Sequence, residues 1–405
     1  MPVAGRGRSA VRRARALASV LIAALALALG IAPTAGAQDP GRWLLTGAST
    51  IPAPYWQGLT SNLRKSKVFF VGVFQGLWRT TPQLAQTGGV ATEIPQRVTD
   101  REGYNHIGDP TWDRRGGGRV ILPMECYTPG VGNTCGTGAF GVADPATLAF
   151  RYYVKLDPAE IPKAMWAETS PDGSLIWTSS GDDLLAYRSS DVSPANSGGA
   201  RVIHAVRRLP GAVPPTGITG AVFWRGQLLL AGSDNGVYQV WSVNTNTGER
   251  RLAIQMRICG ESEGLDVIPT LGGSLHWLIA PSGGGCHLTF GPSSALLHFI
   301  RTPAHERYAV EVTNVDAPSI PGDVEATVRA THQGQPLPNT RVTFADGAAR
   351  TNNHGIATVD VTLERPGRFS AVARNGASYG ISDRVSVGLS GSAKHAPPAI
   401  RSPAR

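Results

Sequence analysis

The feature that most limits what this chain can fold into is a fivefold repeat of short apolar strands. Val68-Phe69-Phe70-Val71, Val120-Ile121-Leu122, Ser174-Leu175-Ile176-Trp177, Gln227-Leu228-Leu229-Leu230 and Leu275-His276-Trp277-Leu278 are each bounded by Gly, Pro, Asp, Asn or Ser. Such runs read as strands between tight turns. No stretch between residues 43 and 303 keeps a helical apolar period over three turns. The 49 glycines and 30 prolines supply the turns that many short strands need. The expected class is therefore all-β.

Each strong strand follows an entry segment at a near-constant distance. The entries centre on Gln57, His106, Lys163, Thr216 and Glu263, and the strands begin 11 to 14 residues later. Entry-to-entry spacings are 49, 57, 53 and 47 residues. Ser170-Pro171-Asp172-Gly173 and Trp224-Arg225-Gly226 fit the first hairpin turn of a unit, and Ser233-Asp234-Asn235-Gly236 a turn into a third strand. A unit of this length matches one four-stranded propeller blade with its loops. Residues 43–303 thus resemble β-propeller proteins. Ser262-Glu263-Gly264-Leu265 is similar to a blade opening in lactonase and gluconolactonase propellers, and to a segment of esterase-like phytase propellers. Five units imply five blades, with a sixth in 78–104 or 188–215 as the alternative.

A second pattern begins near Tyr308. Gly334-Gln335-Pro336 leads into Arg341-Val342-Thr343-Phe344, and Thr351-Asn352-Asn353-His354-Gly355 turns into Ile356-Ala357-Thr358-Val359-Asp360-Val361. This arrangement resembles bacterial Ig-like, invasin-type sandwiches, which space or dock other domains. The expected order is a signal peptide over 1–37, a propeller over 38–303, an Ig-like sandwich over 308–388 expected to fold alone with few outside contacts, and a disordered tail over 389–405.

Arg6, Arg8, Arg12, Arg13 and Arg15 precede an apolar run from Ala16 to Ala32, and Ala35-Gly36-Ala37 supplies small residues for cleavage. A secreted or cell-surface protein follows, with no membrane span left after processing. Five of the nine net positive charges belong to those arginines, and Lys394, Arg401 and Arg405 in the tail carry three more. The body is then nearly neutral, which argues against a nucleic-acid partner. Four cysteines in an exported chain point to disulfides, and local pairing gives Cys126–Cys135 and Cys259–Cys286.

The innermost strands of a propeller converge on its axis, so Gln57, His106, Lys163 and Glu263, with Asp109 three residues after His106, are expected at one channel mouth. Asp109, Glu263 and His106 could hold Ca2+ or another divalent cation; His106 and Glu263 could instead work as base and orienting acid. The same groups could equally bond to one another and plug the channel. Glu125, Asp144 and Glu168 are weaker candidates, expected to pair with Arg or backbone. There is no GxSxG, HExxH or P-loop. The expected function is a secreted ligand-binding or adhesion protein for an unidentified extracellular ligand or surface component. The alternatives are a metal-dependent propeller hydrolase of lactonase or phosphoesterase type and a propeller glycosidase.

Secreted material should begin at Gln38. N-terminal sequencing checks this, and an intact Arg-rich start on membrane-bound protein would overturn it.

Overall fold

The computed structural model describes residues 42–389, apart from 53, 73–74, 282–293 and 303–304. The expected signal peptide, the tail from residue 390 onward and Cys286 lie outside the described residues. Cys126 and Cys135 form a disulfide with 5.2 Å between Cα atoms. The pairing of Cys259 with Cys286 rests on a residue outside the described set.

The strong strands are the second strands of antiparallel four-stranded meanders. After β1 (Arg42–Ile51), sheet 1 holds β2 (Gly58–Ser61), β3 (Val68–Val71), β4 (Leu77–Thr80) and β5 (Gln86–Val90). A helix, α1 (Gln96–Glu102), leads into sheet 2, where β6 (His106–Ile107) and β7 (Thr111–Asp113) share one partner, β8 (Arg119–Glu125). A small hairpin of β9 (Tyr127–Thr128) and β10 (Gly132–Asn133) lies within the disulfide loop, and β11 (Ala139–Ala143) and β12 (Phe150–Lys155) complete the sheet. Sheet 3 is β13 (Glu168–Thr169), β14 (Leu175–Ser180), β15 (Asp183–Arg188) and β16 (Arg207–Leu209). Sheet 4 is β17 (Gly217–Trp224), β18 (Gln227–Asp234), β19 (Val237–Val243) and β20 (Arg250–Arg257). Sheet 5 is β21 (Glu261–Asp266), β22 (Leu275–Ala280), β23 (Ser294–Thr302) and, from the other end of the chain, β1.

Packing explains why the second strands are continuous apolar runs and not alternating ones. Successive side chains of a strand point to opposite faces, and here both faces are covered. Phe69 and Val71 join Val120 and Leu122 in one core, while Val68 and Phe70 join Leu278 and Leu296 in another. Ile121 turns to Ile176 and Leu185, Trp177 and Leu184 meet Leu228 and Leu230, and Leu229 and Ala231 meet Trp277 and Ile279. Each sheet therefore packs face to face on two neighbours, and sheet 5 packs back on sheet 1. The result is an all-β, propeller-like ring. Among the described residues no helix is long and apolar enough to cross a membrane.

The remaining strands are β24 (His305–Glu306), β25 (Ala309–Asp316), β26 (Gly322–His332), β27 (Gln335–Pro336), β28 (Arg341–Phe344), β29 (Gly347–Arg350), β30 (Ile356–Leu363), β31 (Gly367–Phe369), β32 (Ala371–Asn375), β33 (Ser378–Ile381) and β34 (Val385–Val387). Most of them form two sheets around a core that includes Val324, Val328, Phe344, Val359 and Ala371. His354 sits exposed in the turn before β30. The expectation of few contacts between this region and the rest is not met. β31 pairs with the outer edge of β1, with Gly47 opposite Phe369 and Ser49 opposite Gly367. The amide of Ser370 donates to Thr46 at 2.7 Å, and Asp346 accepts the Thr270 hydroxyl at 2.7 Å. An unpaired β1 edge would expose a row of backbone donors and acceptors, and β31 covers part of it.

A chain ending at Thr302 uncovers that edge. It should melt several degrees below the full chain and associate more readily, as scanning calorimetry and light scattering would read.

Candidate functional site

The axis of the ring is organised around Asp109. Its peptide neighbour Pro110 has no N–H, and the inner strand of sheet 2 is interrupted between β6 and β7 at this point. Asp109 bonds instead to the next sheet. Its N–H donates to Met165 and its carbonyl accepts from Ala167, both at 3.0 Å. The carboxylate accepts the amide of Leu59 at 2.8 Å on one oxygen, and those of Ala221 at 3.0 Å and Leu265 at 3.5 Å on the other. One fully buried residue thus ties the inner segments of all five sheets. Glycines make room for it: a side chain at Gly58 or Gly264 would collide with Asp109. Burial pushes the Asp109 carboxyl well above its ordinary range, while the three amides pull the other way.

The inner segments run in the same direction past this tie, so residues before and after it lie in separate groups. Before it, the Gln57 amide donates to Glu263 at 3.2 Å. Glu263 is buried, and burial, then Glu261 and Asp109, hold its carboxyl well above the usual range. The expected convergence therefore includes Gln57, Glu263 and the neighbouring Asp109. His106 lies 2.9 Å from Glu125 across the β6–β8 pair, with its ring against Tyr127. Lys163 is exposed, and with Thr216 it lines a groove of about 460 Å³ between sheets 3 and 4. That groove is larger than the axial cavity described next, but it draws on two sheets where the axial cavity draws on all five.

Beyond the tie, a cavity of about 180 Å³ is lined by all five sheets, through Ser61, Thr111, Glu168, Phe223 and Asp266, with Lys65 beside them. Glu168 accepts the Phe223 amide and the Thr111 hydroxyl, each at 2.9 Å, with part of its surface open to the cavity. Removal from bulk water, followed in size by the opposing pull of the Phe223 amide and then repulsion from Asp266, leaves its carboxyl pushed up to about 7. Asp266 accepts Lys65 at 3.3 Å and the Val267 amide at 2.7 Å on one oxygen. Its other oxygen is buried with no hydrogen-bond partner among the described residues. Lys65 also donates to Ser61 at 2.7 Å.

Behind Asp266 the register sets His276 opposite it and His298 opposite His276. The two rings are 4.9 Å apart, and His298 Nε2 lies 2.8 Å from the Ser49 hydroxyl. Burial pushes His276 down to about 4, against the pull of Asp266, and holds His298 well below its ordinary range. Both are neutral imidazoles at physiological pH.

No family model and no curated protein matches the chain. Among solved structures it is similar to a glutaminyl cyclase from Myxococcus xanthus, at 10% identity over 65% of this chain and 98% of that one, with a TM-score of 0.39. It is also similar to a luciferin-regenerating enzyme, at 12% identity over 62% and 94% and a TM-score of 0.37. The β-propeller domain of Cps50 (Swd1) from Myceliophteria thermophila aligns at 12% identity over 81% and 96%, with a TM-score of 0.31.

Asp109→Ala would leave three buried amides unsatisfied. At about 1–3 kcal/mol for each such group, the loss should exceed about 3 kcal/mol in chemical denaturation. An unchanged midpoint would show that the tie does not hold the ring.

Proposed function

We propose that this chain is an acid–base enzyme of the hydrolase class, working on a small substrate group admitted to the axial cavity. The five meanders are read as the blades of a five-bladed propeller, and 308–388 as an Ig-like module docked on its closing sheet. The observation that carries the reading is Glu168. A carboxyl poised near neutrality, facing a cavity beside a second carboxylate, suits proton transfer at ordinary pH. Paired acids in different environments commonly divide the acid and base roles.

In this reading protonated Glu168 donates to the leaving oxygen, and its Thr111 and Phe223 partners fix its direction. Asp266, which lines the same cavity, accepts a proton from the attacking water. Lys65 supplies the positive charge next to which an oxyanion develops. That ammonium stands where a metal would otherwise balance Asp266, so the hydrolase reading needs no divalent cation at this cavity. The cavity is small, at about 180 Å³, which favours a small ester or lactone group over an extended polymer. Adhesion through Gln57, His106, Asp109, Lys163 and Glu263 has less support. Asp109 and Glu263 are buried, and a displayed binding surface would need them exposed.

Two measurements test Glu168. A panel of aryl esters, lactones and aryl glycosides should show turnover that Glu168→Gln lowers by about 100-fold or more, the usual range for a lost proton-transfer group. Full activity in the variant, or no turnover by the wild type across the panel, would overturn the proposal. The second measurement is stability against pH. The unfolded chain releases the Glu168 proton near 4.5 and the folded protein near 7. Between these values the folded state binds more protons, so the wild type loses stability as pH rises through the window. Glu168→Gln should remove that slope, and the variant should gain on the wild type from pH about 4.5 to about 7.

A further inference from the structure

We infer that Asp157, Glu160 and His204 form a binding site for a divalent transition metal on the outside of the ring, separate from the axial cavity. His204 Nδ1 lies 2.9 Å from Asp157 Oδ2 and 3.9 Å from Glu160 Oε1, and one ligand atom from each of the three falls within 4.8 Å of the others. Donors bound at about 2.1 Å from a common metal lie roughly 3 to 4 Å apart, so little movement closes the set.

The backbone holds the three residues together. Leu156 and Ile203 form a parallel bridge, with the Asp157 amide donating to Ile203 at 3.1 Å and the Ile203 amide to Lys155 at 3.0 Å. This places His204 directly over the turn from Asp157 to Glu160, where the Glu160 amide donates to Asp157 at 3.0 Å.

Each carboxylate is also oriented by groups outside the set. Asp157 Oδ1 accepts the Ala159 amide at 2.9 Å, which leaves Oδ2 toward His204. Glu160 Oε2 accepts the Tyr187 hydroxyl at 3.0 Å and the Ala205 amide at 2.8 Å, which leaves Oε1 toward the same point. Tyr187 is fully buried, so the fold anchors this contact. Outer partners that fix the direction of a ligand are a regular part of metal sites. An imidazole with two carboxylates is a donor set for Zn2+, Co2+ or Ni2+. A purely acidic surface cluster would favour Ca2+. With three protein ligands, the ion keeps positions for water. It would clip the 155–161 segment, which leads from sheet 2 to sheet 3, onto the segment that carries Ile203.

The test uses the full mature chain without an affinity tag, freed of metal by a chelator. Calorimetric titration with Zn2+ and with Co2+ should show one saturable equivalent, and Co2+ should give visible absorption bands. Zn2+ should also raise the melting temperature. His204→Ala and Asp157→Asn should each weaken binding at least tenfold and abolish the thermal shift. His204 is exposed, so its variant should fold, and circular dichroism checks this. Glu168→Gln should bind Zn2+ as the wild type does, which separates this site from the axial reading. Absence of saturable binding up to about 1 mM, or unchanged binding in folded His204→Ala, would overturn the inference.

Discussion

The ring depends on the bonds that one buried carboxylate makes to backbone. Propeller-like rings pack their sheets through apolar faces, but apolar contact does not fix how deep each inner strand sits along the axis. Asp109 supplies that missing constraint. Its side chain reaches Leu59, Ala221 and Leu265, and its own peptide groups reach Met165 and Ala167. The inner segments must be in register for all these bonds to form together. A bare carboxylate in the core would be costly, and the amides that surround it offset that cost. Pro110 makes the arrangement possible by interrupting the sheet 2 ladder at the residue that has to leave it.

Closure of the ring uses strands from both of its ends. β1 completes sheet 5 beside β23, with Arg42 opposite Thr302, so the first strand of the ring is locked by the last. The outer edge of β1 then receives β31. A single strand therefore joins the last sheet of the ring to the C-terminal region. His298 stacks on Phe369 at 6.0 Å across this junction, so packing as well as backbone pairing couples the two.

Much of this was legible in the sequence. The five apolar runs became the second strands of the five sheets because a strand covered on both faces must be apolar at every position. The entries Gln57, His106 and Glu263 do mark the inner strands, and the repeat brought Gln57 to Glu263. The entry positions themselves lie before the cavity, and the acids that line it follow them by three residues at Asp266 and five at Glu168. The entries Gln57 and Glu263 meet before the Asp109 tie. Glu168 and Asp266 come after the tie. The same alignment carried a few residues further along each unit reaches Thr111, Glu168 and Asp266. Lys65 carried no such signal, since it lies in the β2–β3 turn and folds back over the axis. The site at Asp157, Glu160 and His204 was not legible either, because a parallel bridge at Ile203 brings together segments that are far apart in the chain.

What separates the two halves of the axis is unused hydrogen-bonding capacity. Asp109 has both oxygens engaged by amides, and its role ends with the structure it holds. Glu263 has Gln57, and burial holds its carboxyl well above the usual range. Asp266 differs, because it lines the cavity with Lys65 and Val267 sharing one oxygen, while the other is buried with no hydrogen-bond partner among the described residues. Behind it, His276 is neutral and cannot supply a second positive charge to compete with Lys65. Glu168 is held by two neutral donors, which orient it without fixing its proton. A fold that satisfied every polar group on its axis would have no chemistry left to offer there. This one concentrates its unsatisfied carboxylate and its near-neutral acid in the same cavity, on the side of the tie where the inner strands leave space.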